Sequence, residues 1–180
     1  MKKALPAAIA LAGSLGFAAA ANAVNVNSDG LGEVLLYSYY TVEDGKDTYV
    51  TITNTTDNVA AVKVRFVESM NSQEVLDFNL YLSPYDVWVG TVTADGTGAK
   101  LTTDDKSCTV PAIPAAGQAF RNYQYQGSTY HTGKGGPQGI DRTRTGHLEV
   151  IEMGVVYNTS SSTFAPAAWA THVNGVPANC

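Results

Sequence analysis

The residue types that could carry chemistry in this chain are few. His147-Leu148-Glu149 sets an imidazole and a carboxylate two residues apart, with Glu152 close by, which on an extended strand places both groups on one face within reach of a divalent cation. The spacing is not H-E-x-x-H, and solvent-facing polar residues on a half-buried strand produce the same pattern, so His147 and Glu149 are weak metal candidates. Tyr123, Tyr125 and Tyr130, with His131 beside them, lie among Gly127, Gly133, Gly135 and Gly136. Tyrosine joins an apolar ring to a polar tip, so these three are the candidates for stacking on a sugar or a protein partner, the alternative being that they fold back over the sheet. Gly133-Lys134-Gly135-Gly136 lacks the first glycine and the Ser or Thr of a phosphate-binding loop, and Asp95-Gly96 and Asp104-Asp105 do not form a calcium-loop run. There is no G-x-S-x-G, and His131, His147 and His172 stand in no recognised catalytic setting. The sequence therefore predicts no enzyme and no cofactor.

The elements that must position these residues are strands. Across residues 48–92, Val50 and Ile52, then Ala60, Val62, Val64 and Phe66, then Leu76, Phe78, Leu80 and Leu82 alternate with polar residues, a period of two repeated in three runs. Turn chemistry separates them at Asn54-Thr55-Thr56-Asp57-Asn58, Ser69-Met70-Asn71-Ser72 and Ser83-Pro84-Tyr85-Asp86. The pattern predicts an all-β, antiparallel, immunoglobulin-like sandwich over residues 33–157 with those nine side chains from Val50 to Leu82, Ala60 aside, in its core. The run EVLLYSYYTV, from Glu33 to Val42, is apolar on both faces. Asp44-Gly45 supplies the positive φ a hairpin needs, so this run is expected to pair with residues 48–53, with the far edge of the sheet or a second chain as alternatives. Past Val92 the alternation loosens, and residues 118–139 read as a long Tyr- and Gly-rich loop. Alternation returns over residues 146–157, where the apolar register changes at Val150-Ile151 and predicts a β-bulge. Pro166 and the alanines around it predict a short helical turn before Asn174-Gly175.

Lys2, Lys3, an apolar run and Ala21-Asn22-Ala23 make residues 1–23 a secretory signal, leaving residues 24–180 as a single β-domain that is not an integral membrane protein once the signal is cleaved. Cleavage takes the basic count from 11 to 9 against 16 acidic residues, a balance that argues against nucleic acid. Export to an oxidising compartment lets the two cysteines, Cys108 and Cys180, pair with each other, intermolecular pairing being the other option.

The segments GLGEVLLYSYYTV, NTTD with AVKVRF, EVLDFNLYLSPYDVW, KSCTVP, GHLEVIEMG and HVNGVPANC together resemble a family of exported proteins of Gram-negative bacteria. The resemblance covers most of the chain past the signal and implies export but no particular activity. Members of that family are expected to continue beyond PANC, which implies a domain truncated at its C-terminus. The expected function is a structural or adhesive module at the cell surface or outside the cell, meeting a protein or glycan partner. The alternatives are a periplasmic or secreted ligand-binding module, for example for carbohydrate, and a metal-dependent enzyme. Self-association through residues 33–42 is a further expectation.

Overall fold

Eleven strands form in the computed structural model, which describes residues 27–127, 135–158 and 164–180. Residues 1–23, expected to be a signal, Tyr130, His131 and the first half of the Gly133-Lys134-Gly135-Gly136 run lie outside the described residues. Residues 27–30 form a turn in which the Asp29 amide donates to Asn27 Oδ1 at 2.9 Å. Leu31–Cys180 is one unit.

The expected all-β sandwich is present. One sheet has the order β1 (Val34–Thr41), β9 (Thr145–Val156), β3 (Val59–Glu68), β4 (Glu74–Leu82), β7 (Cys108–Val110). The other runs β2 (Thr48–Thr53), β5 (Val87–Asp95), β6 (Gly98–Thr102), β8 (Gln118–Ala119). Every neighbouring pair is antiparallel. Alternation places Val50 and Ile52 from one sheet, and Val62, Val64, Phe66, Phe78, Leu80 and Leu82 from the other, in a shared core with Trp88, Val92, Leu101 and Leu148. Leu76, expected in the core, is only partly buried against it, while Val75 is buried. Tyr40, Phe66 and Phe120 meet at centroid distances of 5.1 to 5.7 Å and close one end. Gly146 is required there, since a Cβ would strike the Val67 carbonyl oxygen and come within 2.7 Å of the Tyr40 ring.

Three expectations need correction. Residues 33–42 do not form a hairpin with residues 48–53: β1 pairs with β9, and β2 pairs with β5 in the opposite sheet. Asp44 and Gly45 do adopt positive φ, 55° and 70°, but within a 3-10 turn (Glu43–Gly45) that carries the chain from one sheet to the other. At the crossing, the Thr48 hydroxyl accepts from the Thr41 amide at 3.0 Å and donates to the Thr41 carbonyl at 2.9 Å, standing in for a ladder bond. The bulge in β9 lies at Met153, between Glu152 and Gly154, where the register against Ala61 and Val62 shifts, and not at Val150-Ile151. Ile151 simply faces outward and is half covered, so both faces of the central strand carry apolar residues without a break. The loosened region after Val92 contains a further hairpin, β5 to β6, closed by Gly96-Thr97 with Gly96 at φ 57°.

The C-terminal turn is a five-residue helix, α1 (Pro166–Ala170), followed by a small hairpin of β10 (His172–Val173) and β11 (Val176–Pro177) around Asn174-Gly175, both at positive φ. Cys180 is joined to Cys108 on β7 by a disulfide, as the export argument expects, closing a sequence separation of 72 residues. No helix among the described residues is long and apolar enough to cross a membrane.

Candidate functional site

Three clusters of chemically capable side chains can be built up from the strands that hold them, and a fourth place is a groove. The first cluster is buried. Glu68 continues the inward register of Val64 and Phe66, so the end of β3 drives a carboxylate into the interior. The turn after β3 wraps around it: the amides of Met70, Asn71 and Gln73 donate to its two oxygens at 2.8, 3.2 and 2.9 Å. A 3-10 turn (Ile140–Arg144) delivers Arg142, whose Nη2 and Nε approach the same carboxylate at 2.9 and 3.2 Å with both side chains fully buried. Arg142 also donates to Asn71 Oδ1 and to the carbonyls of Gly135 and Pro137. Burial by itself raises the Glu68 pKa, but the amides of Gln73 and Met70, the Arg142 guanidinium and the Asn71 amide together outweigh it, and the carboxyl is held below its ordinary range. With every lone pair and donor in use, the pair fastens the loop of residues 135–144 to the β3 to β4 turn.

Tyr125 belongs to this cluster. It is fully buried, the Arg142 guanidinium sits 4.1 Å from its ring centroid, and its hydroxyl donates to the Gly139 carbonyl at 3.3 Å. Burial pushes its phenol up to about 12. The ring that was a candidate for ligand stacking is thus a floor for Arg142, and offers no open face.

The second cluster has the composition of a hydrolase triad. Ser83, Asp86 and His172 meet where the turn between β4 and β5 touches the C-terminal segment. Both Ser83 Oγ, at 2.5 Å, and Asp86 Oδ2, at 3.3 Å, lie against the same imidazole nitrogen, Nδ1. A triad needs the ring to bridge base and nucleophile through its two nitrogens, and here one nitrogen faces both. The Ser83 hydroxyl is buried, donates to the Ala170 carbonyl at 3.1 Å and accepts the His172 amide at 2.9 Å. Asp86 Oδ2 takes the Ser83 amide at 3.0 Å and the Ser107 hydroxyl at 3.2 Å. This constellation latches residues 170–172 onto the sandwich beside the Cys108–Cys180 bridge.

His147 and Glu149, the metal candidates, share the outer face of β9, with Nε2 3.8 Å from Glu149 Oε1. Glu149 Oε2 is taken by Arg65 Nη1 at 3.0 Å, and Arg65 Nε reaches Glu74 at 3.0 Å. Glu152, three positions on from Glu149, is exposed. Among the described residues no group of three or more His, Cys, Asp or Glu side chains is gathered as a metal would need.

The groove lies where β7 leaves β4. β7 pairs with β4 only across Asn79, Leu80 and Tyr81, and Pro111 cannot continue the ladder. The chain returns to β4 at Arg121, whose amide donates to the Val75 carbonyl at 2.8 Å. Between these two contacts is a cavity of about 300 Å³ lined by Leu76, Asp77, Pro111, Gln118, Arg121 and Tyr123, among others. Tyr123 is 56% exposed, and the Arg121 guanidinium lies 5.4 Å from its ring centroid. Asp77 is ion-paired with Lys63, and Glu74 at the rim with Arg65. Of the three candidate tyrosines, then, Tyr123 borders a cavity, Tyr125 is inside the fold, and Tyr130 lies outside the described residues.

No family model, no curated protein and no solved structure matches this chain.

Proposed function

We propose that this protein is an exported, non-catalytic β-sandwich that serves as a structural or adhesive module at the cell surface or outside the cell. The observation that carries the reading is the outer edge of β1, which no strand among the described residues pairs with. β1 stands at the end of its sheet, and its sequence VLLYSYYT contains no charge and no proline. Val34 is 52% and Leu36 72% exposed. Backbone groups along an unpaired edge, with apolar side chains at alternate positions, are what another strand needs in order to add to a sheet. The disulfide supports an oxidising compartment. The Ser83, Glu68 and Glu149 clusters are all engaged within the fold, which supports a role exercised through the surface.

The test joins location to the edge. Protease added to intact cells is expected to degrade the protein. Light scattering on purified protein is expected to show concentration-dependent association that Val34→Lys with Leu36→Lys abolishes, while circular dichroism stays unchanged. A protein shielded in intact cells and monomeric at every concentration would sink the reading. The groove at Tyr123 favours a second reading, a periplasmic or secreted ligand-binding module.

A further inference from the structure

The chain has four arginines, and three are fastened to carboxylates: Arg65 to Glu74 and Glu149, Arg142 to Glu68, Arg144 to Glu43. Arg121 is different. Among the described residues no carboxylate lies within ion-pair distance of it, and its guanidinium rests over the Tyr123 ring at the lip of the groove. The two acidic side chains lining the same cavity do not supply the missing partner, because Asp77 holds Lys63 and Glu74 holds Arg65. We infer that the groove bounded by Pro111, Gln118, Arg121 and Tyr123 binds a carboxylate-bearing sugar, a uronic acid unit of a polysaccharide.

The inference rests on the ligand-binding reading and adds the chemical class. A guanidinium presents paired N–H donors in a planar fork that matches a carboxylate and discriminates against an uncharged group. The exposed Tyr123 ring offers a flat apolar surface for the C–H face of a pyranose, next to its own hydroxyl. Gln118 spends its amide nitrogen on the Ala119 carbonyl at 3.1 Å, and its side-chain oxygen can still accept from a sugar hydroxyl. Leu76 and Pro111 supply the apolar remainder of the lining, and a cavity of about 300 Å³ is at the small end of ligand sites, the size for one ring of a chain. Arg121 is tied at its backbone to β4, so the fork is presented from the sheet and not from a free loop.

The experiment is a titration of the exported protein with a galacturonic acid trimer, followed by amide chemical shifts, beside its fully methyl-esterified twin, which keeps the rings and removes the charge. Shifts are expected at Arg121, Tyr123 and Gln118, with the ester bound about 10- to 100-fold more weakly, the worth of a charge-assisted hydrogen bond. Arg121→Gln should bring the acid down to the affinity of the ester, Arg121→Lys should restore part of it, and Tyr123→Ala should weaken both trimers. Both sites are at the surface, and unchanged circular dichroism certifies each of the three variants. Equal affinity for acid and ester, or a trimer of glutamate that binds as tightly through the same residues, overturns the acidic-sugar assignment while leaving a ligand site in place. If neither trimer shifts the groove resonances, the assignment and the ligand-binding reading fall together.

Discussion

Replacing Glu68 by glutamine tests the claim that the buried Glu68 and Arg142 pair is the fastener of residues 135–144. At neutral pH the substitution removes the charge that faces Arg142 and puts an NH2 where one oxygen had accepted amide protons from Asn71 and Gln73, or from Met70. A guanidinium left buried without its carboxylate costs about 3 to 5 kcal/mol, and a domain of this size has about 5 to 15 kcal/mol to lose. Urea unfolding of the oxidised protein at pH 7 is the assay, with the midpoint falling and the slope unchanged. Acid supplies the second arm. The folded carboxyl is held below its ordinary value of 4.5, so its contribution is fully present above that pH and is lost as the pH falls through the folded value. The gap between wild type and Glu68→Gln must therefore narrow as the pH is lowered below about 4.5. Arg142→Met gives the third arm: it leaves the three amide bonds to Glu68 in place, so it should cost less than Glu68→Leu, which strands three amides and the guanidinium together. A Glu68→Gln cost under about 1 kcal/mol at pH 7, or a gap that does not narrow in acid, would refute the reasoning.

Two further outcomes follow from the same packing. Opening the Cys108–Cys180 bridge, by Cys108→Ser with Cys180→Ser, should lower stability by about 4 kcal/mol on the chain-entropy account of a loop this long, read as a fall in the urea midpoint, and the oxidised protein should weigh two protons less than the reduced one by mass spectrometry. Phe78→Ala should cost about 3 to 5 kcal/mol, since the ring is 1% exposed and packs 5.8 Å from Trp88, whereas Asn79→Ala on the opposite face should change the midpoint little.

The core strands were legible because a period of two is a direct image of a sheet with one wet face. The same period, carried two residues past Phe66, puts Glu68 on the buried side of Val62, Val64 and Phe66, and an acid on an apolar face is a signal of a buried partner that the reading of the strands left unused. What that partner is was not legible, since Arg142 is 74 residues away and reaches Glu68 only through a turn with no apolar pattern. Ser83, Asp86 and His172 were separately visible as a turn and a lone histidine, but their meeting depends on how the disulfide and the small C-terminal hairpin fold back. In the sequence, Asn174-Gly175 reads as the stop of the helical turn before it. It is also the sequence of a two-residue hairpin turn, and the structure uses it so. Tyr123 and Tyr125 are two residues apart with the same side chain, and what separates them is tertiary: Tyr125 joins the core and carries Arg142 on its ring, while Tyr123 stays open beside Arg121.

The misread hairpin between residues 33–42 and 48–53 bears on what the molecule presents to others. A sandwich of two open sheets has four edges, and here three are managed within the chain. β7 is three residues long and gives way to Pro111, and β8 is two residues long. β2, at the edge of its sheet, is met from β1 by the Tyr37 hydroxyl, which donates to the Thr51 carbonyl at 2.7 Å. Short edges, prolines and covering side chains are the means by which sheets avoid adding strands. β1 has none of these over its first half: it is eight residues long, uncharged, and irregular only between Tyr37 and Tyr40, so Val34 to Leu36 are regular and apolar, paired to β9 on one side and, among the described residues, to no strand on the other. Had β1 folded onto β2 as a hairpin, β9 would have been the open edge, with Glu149 and Glu152 along it to repel a neighbour. Pairing β1 to β9 instead exchanges an acidic edge for an uncharged one, and it is along that edge that association, if blocked by lysine at Val34 and Leu36, has to be sought.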